Sequence, residues 1–278
     1  MSSKRLALYA LLISIFSACS SARIDQSSES IPDGARRIME AYPDCVVGYE
    51  RDSLIFWDGT RLIFDDKISR TVDQIHLEQD VEDIFFQEYD TTLYPPTYGY
   101  DPGRYRCAEF FDKIYGSTYD EVYNNLVWVD WCPSFGGKPL LFSRMAGAAE
   151  ALKRLSDELE QHPELKEWVI DAQTFNYRKI FDTERKSPHS YGIAIDICVA
   201  RSHYWRYNYP NASEHDEIGY HNRIDMRVVE IFERHGFIWG GRWYHFDTMH
   251  FEYRPEMFTT PEKELSETSP TEEVVSPN

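Results

Sequence analysis

The sequence predicts an α+β fold in which an antiparallel sheet is flanked by helices. Three observations lead there. Short apolar runs break at glycine or alternate with polar residues, one strong hairpin signal occurs, and helical stretches do not alternate regularly with strands. Taking the elements in order, apolar runs between Cys45 and Ile63 flank Asp58-Gly59 in "SLIFWDGTRLIF", a hairpin turn. Asp101-Pro102 is expected to cap and open a helix that ends at Gly116. Ser117 and Asp120 open another short helix toward Leu126, and "LVWVDW" reads as a strand. Met145, Ala148, Ala149, Leu152, Leu155 and Leu159 share one helical face that stops at His162-Pro163. "EWVIDA" from Glu167 is expected to be a strand, as is the β-branched run Gly192–Ile197. Ile224, Val228 and Ile231 mark a later helix ending at Gly236, followed by strands over 237–240 and 249–253. Residues 33–135 form an N-terminal region of unassigned role, and 136–258 form the functional core.

Composition narrows the function. Aromatic residues are plentiful (19 Tyr, 16 Phe, 7 Trp), which suits a packed domain. The formal net charge of −18 argues against nucleic acid, whose phosphates need a basic surface. Part of that charge sits in an acidic tail over 259–278, expected to be disordered.

Lys4 and Arg5 precede an apolar run from Leu6 to Phe16, and Ser17-Ala18-Cys19 follows. This reads as a signal peptide over 1–19, of the bacterial lipoprotein kind in which the cysteine is acylated. A polar tether over 20–32 would then join the domain to a membrane surface at Cys19, and the protein would be exported, facing the periplasm or cell envelope. The remaining Cys45, Cys107, Cys132 and Cys198 are even in number, so disulfides are open to an exported chain, in any of the possible pairings. Their spacing fits no thiolate zinc motif.

The chemistry concentrates late in the chain. Asp196 lies inside the apolar run 192–197, where an ionised carboxylate is costly unless paired or bound to a cation. His189 precedes it in "SPHSYGIAIDI", and His250 opens a strand in "GGRWYHFDTMHFEYRP", with Asp247 just ahead. His189, Asp196 and His250 would supply two imidazoles and a carboxylate, an open metal site of hydrolytic type. The competing reading pairs Asp196 with an arginine and leaves the histidines on backbone groups. His76, His162, His203, His215 and His221 are expected at the surface, and Trp205, Trp239 and Trp243 in the core or a cleft wall.

"TFNYRKI", "SPHSYGIAIDI" and "FIWGGRWYHFDTMHFEY" together resemble the zinc D-alanyl-D-alanine carboxypeptidase family, which includes VanY-type carboxypeptidases and L-alanyl-D-glutamate endopeptidases. The family pattern is Ser-x-His, Asp after six intervening residues, then an acidic residue with two residues between it and a final His. The resemblance implies a D,D-peptidase-like α+β domain that holds Zn2+ through His189, Asp196 and His250. It implies that Asp247 is the acid/base of a metal-activated water, that Arg178 holds the substrate near the scissile carbonyl, and that Ser187 lies at the substrate. Glu252 and His245 are weaker candidates. The implied substrates are peptidoglycan stem peptides, cut by a carboxypeptidase or an endopeptidase. A non-hydrolytic zinc-containing wall-binding lipoprotein is the alternative. "DPGRYRCAEFFDKIYG" also resembles a block in one bacterial branch, with no chemistry attached to it.

Overall fold

Alternation of side chains along two neighbouring strands sets the architecture around the candidate site. The computed structural model describes residues 30–181 and 183–258, so the expected signal segment, most of the tether and the acidic tail lie outside the described residues. The elements run α1 (Asp33–Ala41), β1 (Val46–Glu50), β2 (Ser53–Phe56), β3 (Arg61–Ile63), α2 (Val72–Ile75), α3 (Ala108–Tyr115), α4 (Tyr119–Asn124), β4 (Leu126–Val129) and β5 (Leu140–Ser143). They continue with α5 (Ala148–Leu159), α6 (Lys166–Val169), β6 (Ala172–Gln173), β7 (Ala194–Ile197), α7 (Trp205–Asn208), α8 (Met226–Arg234), β8 (Phe237–Trp239) and β9 (His250–Tyr253). The described residues form three antiparallel sheets: β1-β2-β3, β4-β5 and β6-β7-β9-β8. The α+β expectation holds.

The hairpin forms as the sequence indicates. Gly59 takes φ of 80°, a conformation that suits glycine, and β2 pairs with β3 across it. Thr118 caps α4 in a reciprocal capping box with Glu121, and Gly116 ends α3 with φ of 117°.

Two expectations fail. The helix expected from Asp101 begins only at Ala108, because the Asp101 carboxylate is committed to His245 rather than to the helix N-terminus. The first half of "EWVIDA" is helical: Pro163 opens a 3-10 turn that runs on into α6, and only Ala172–Gln173 reaches β7 as a strand. A short apolar run cannot by itself distinguish strand from buried helix.

In the four-stranded sheet Asp196 stands directly opposite His250, and Ala194 opposite Glu252. Alternation therefore gives one face Asp196, His250 and Glu252, and the other Ile195, Ile197, Phe251 and Tyr253. The second face meets α8, where the Phe251 and Phe232 rings lie 4.0 Å apart. Buried Leu152, Leu155 and Leu159 of α5 extend the same core.

The polar face is covered by the chain around residues 100–106. Trp243 donates its indole N–H to the Pro102 carbonyl, Arg254 reaches the Gly103 carbonyl, and the Tyr244 amide donates to Tyr100 O. Gly103 has φ of 83°, and a Cβ there would come within 2.5 Å of Ile238 Cδ1, so the segment lies tightly against β8. From Ile31 on, the described residues form one compact unit, whose core runs from Ala35 to Met257. Among the described residues, Cys45, Cys107, Cys132 and Cys198 are buried and free. Burial pushes the thiols of Cys107 and Cys132 up to about 11 and about 12, which keeps them protonated.

Phe251→Ala removes an aromatic ring from the core face while leaving its neighbour His250 on the other side. It should destabilise the fold by about 3–5 kcal/mol in urea unfolding. A loss under about 1 kcal/mol would contradict this placement.

Candidate metal centre

His189 comes from the 3-10 turn Pro188–Tyr191, Asp196 from β7 and His250 from β9. Gly192 ends that turn in the left-handed region (φ 68°), and a Cβ there would sit 2.4 Å from Leu126. The turn is laced to the preceding loop: the Ser187 amide donates to Arg178 O at 3.0 Å, and the Arg178 amide donates to Ser190 Oγ at 2.8 Å.

Three atoms able to ligate a metal converge. His189 Nε2 lies 3.1 Å from Asp196 Oδ1, His250 Nδ1 lies 2.9 Å from the same oxygen, and the two ring nitrogens are 3.2 Å apart. Tetrahedral ligands with bonds of about 2.0–2.1 Å stand about 3.3 Å from one another, so the triangle is close to the size a first-row cation needs.

The outer partners decide what these atoms present. His189 Nδ1 lies 2.6 Å from the Thr174 carbonyl, which can only accept, so that nitrogen carries hydrogen. His250 Nε2 lies 2.9 Å from Glu252 Oε1 and donates to it. In the neutral rings the facing nitrogens are then both bare lone pairs, directed at each other and at a carboxylate oxygen. Such a cluster requires a cation or an extra proton at its centre. Without a cation, Asp196 and Glu252 outweigh the cost of burial and push the His250 imidazolium up to about 10. Burial opposes ionisation of Asp196, but His189 and His250 hold its carboxyl well below the usual range. No arginine pairs with Asp196 among the described residues; its ion-pair partners are the two imidazoles.

Glu252 is fully buried and is itself held by Arg106, through Nε at 2.9 Å and a second, shorter bond from Nη2. Arg254 lies 3.6 Å away. Burial raises the carboxyl, but Arg106 and His250 hold it well below its ordinary value. The chain Arg106–Glu252–His250 has the form of the carboxylate–imidazole support that orients a histidine when it ligates a metal. Arg106 comes from the upstream block to which the sequence attached no chemistry. Nothing in its spacing pointed to Glu252, 146 residues on.

Asp247 sits in the turn ahead of β9, and its backbone pairs with Tyr204. Its Oδ1 is buried without a hydrogen-bond partner. Burial pushes the carboxyl up to about 7, with His250 opposing and Asp196 adding to the rise. Arg178 keeps an exposed side chain at the rim, where its charge acts on Asp247. Ser187 is buried and opens the His189 turn. His245 is buried elsewhere, with Nδ1 donating to Asp101 Oδ2 at 2.7 Å. His76, His162 and His203 are half-buried rather than exposed. Trp205, Trp239 and Trp243 are buried, and Trp243 stands 5.9 Å from the His250 ring.

Residues 182–253 match a family model described as D-alanyl-D-alanine carboxypeptidase. The match takes in about a quarter of the chain and includes Ser187, His189, Asp196, Asp247 and His250, while Arg178 falls just before it. No curated protein and no solved structure matches the chain. The match supports the zinc D-alanyl-D-alanine carboxypeptidase family, and with it a peptidase acting on cell-wall peptides.

Glu252→Gln keeps the size of the side chain but weakens its hold on His250. It should lower metal affinity by about 10–100-fold in a chelator competition; unchanged affinity would remove Glu252 from this role. Because a cation must displace the proton that His250 retains up to about pH 10, affinity should rise with pH, by about tenfold per unit for each proton displaced. A pH-independent dissociation constant between pH 6 and 8 would contradict this.

Proposed function

We propose that the chain is a zinc-dependent peptidase that hydrolyses peptidoglycan stem peptides, as a D-Ala-D-Ala carboxypeptidase or an L-Ala-D-Glu type endopeptidase. The observation that carries this reading is the convergence of His189 Nε2, Asp196 Oδ1 and His250 Nδ1 inside the segment that matches the peptidase family. These three residues would hold Zn2+. When bound, zinc would polarise the scissile carbonyl and lower the pKa of an attacking water.

The chain's own residues do the rest. Thr174 O and Glu252 hold the two imidazoles in the tautomers that ligation needs. Asp247 takes a proton from the attacking water and returns it to the leaving amine, and its uncommitted Oδ1 is the acceptor. A neighbouring cation favours the ionised carboxylate and so offsets the effect of burial on Asp247. Arg178 makes no ion pair among the described residues, its charge acts on Asp247, and in this reading it stabilises the developing oxyanion.

The alternative, a non-hydrolytic wall-binding lipoprotein, has no use for an orphaned carboxylate beside the ligands. Attachment at a lipidated Cys19 is part of the proposal and rests on the N-terminal sequence alone. No helix among the described residues is long and apolar enough to cross a membrane.

Purified protein should cleave muropeptides and lose that activity on chelation. Asp247→Asn should retain zinc, melt close to the wild type and lose about 10²–10⁴-fold in turnover, whereas His250→Ala should lose zinc. An Asp247→Asn protein without zinc would make Asp247 a ligand, and full activity in that variant would pass the base role elsewhere.

A further inference from the structure

A cluster of tyrosines stands in the open on the chain that supports His189. Tyr119 and Tyr123 lie one turn apart on α4, and their rings stack 5.5 Å apart with planes inclined by 14°. The half-buried Phe175 ring lies 6.1 Å from Tyr119 and 6.2 Å from Tyr123, and Tyr177 meets Tyr119 edge-on at 5.3 Å. Tyr119, Tyr123 and Tyr177 are 45, 50 and 38% exposed, so the four rings make one continuous, solvent-accessible surface. None of the three tyrosine hydroxyls makes a hydrogen bond among the described residues.

This surface is tied to a candidate ligand. The loop carrying Phe175 and Tyr177 holds His189 at two points. Thr174 O lies 2.6 Å from His189 Nδ1, and the Asn176 amide donates to the His189 carbonyl at 3.3 Å. α4 packs on the same Pro188–Tyr191 turn. Arg178 directly follows Tyr177, with its amide on Ser190 Oγ at 2.8 Å. Aromatic rings, His189 and Arg178 therefore belong to one hydrogen-bonded stretch of chain.

The chemistry of the surface selects its occupant. Exposed apolar side chains gathered in one patch mark a binding surface. Tyrosine offers an apolar face and a polar tip, which matches a pyranose ring, with C–H bonds on its faces and hydroxyls at its rim. Asn124 and Asn176, exposed neighbours of these rings along the chain, have side-chain amides without hydrogen bonds among the described residues, and both can donate to and accept from sugar hydroxyls. Nucleic acid also stacks on aromatic rings, but the net charge of −18 repels its phosphates.

We propose that Tyr119, Tyr123, Phe175 and Tyr177 form a stacking platform for a sugar of the glycan strand, so that the preferred substrate is a stem peptide still joined to its sugars. The identity of the sugar rests on the peptidase reading. The platform holds the glycan while the attached peptide reaches the metal centre.

The test titrates the protein with an N-acetylglucosamine tetrasaccharide by NMR, and compares cleavage of a disaccharide-linked stem peptide with that of the same peptide without sugar. Wild type should bind the tetrasaccharide, Tyr123→Ala should weaken binding by about 3–10-fold, and Tyr123→Phe should keep most of it. The sugar-linked peptide should be cut with kcat/KM roughly tenfold higher than the free peptide, and Tyr123→Ala should narrow that gap. Absence of tetrasaccharide binding, binding indifferent to Tyr123→Ala, or equal cleavage of the two peptides by wild type overturns the proposal. A concentration-dependent dimer abolished by Tyr123→Ala also overturns it, because the surface then belongs to a second copy of the chain. Should Tyr123→Ala fail to fold, Tyr177→Ala on the loop decides in its place. Failure of the peptidase reading looks different: the tetrasaccharide binds and Tyr123→Ala weakens it, but neither peptide is cut.

Discussion

Two imidazole lone pairs and a carboxylate oxygen within 3.2 Å of one another are a repulsive arrangement in a buried site, and the surrounding structure holds it in place. The Thr174 carbonyl and the Glu252 carboxylate fix where the ring hydrogens sit. Antiparallel register sets Asp196 opposite His250, so strand pairing brings two of the three donors together before any side chain adjusts. A slip of one residue would turn His250 and Glu252 into the core and Phe251 out of it. The apolar face against α8 therefore protects the geometry of the polar face.

The cost of burying Glu252 spreads further into the chain. A buried carboxylate is stable only when paired and hydrogen-bonded, and Arg106 supplies that pairing from the N-terminal region. The segment from Tyr100 to Arg106 thus covers the sheet, orients a candidate ligand through Glu252, and fixes His245 through Asp101. A region with no chemistry of its own in the sequence becomes the wall of the site.

Much of this was legible in the sequence because burial penalties leave marks. Asp196 in an apolar run announced that a partner existed, and alternation in β9 put His250 and Glu252 on one face. What could not be read was anything carried by backbone or by distant pairing. The Thr174 carbonyl has no residue signature, and Arg106 meets Glu252 only through the fold. The Asp101-Pro102 pair resembles a helix start, and only tertiary structure shows the carboxylate diverted to His245. His76 stands in a polar stretch yet turns its ring against Tyr105, 5.1 Å away, into a cavity.

X-ray absorption at the zinc edge, on protein loaded with one equivalent of zinc, tests the central claim most directly. The account predicts two imidazole nitrogens and a carboxylate oxygen at about 2.0–2.2 Å, with no sulfur. A scatterer at about 2.3 Å characteristic of thiolate, or fewer than two imidazoles, would contradict it.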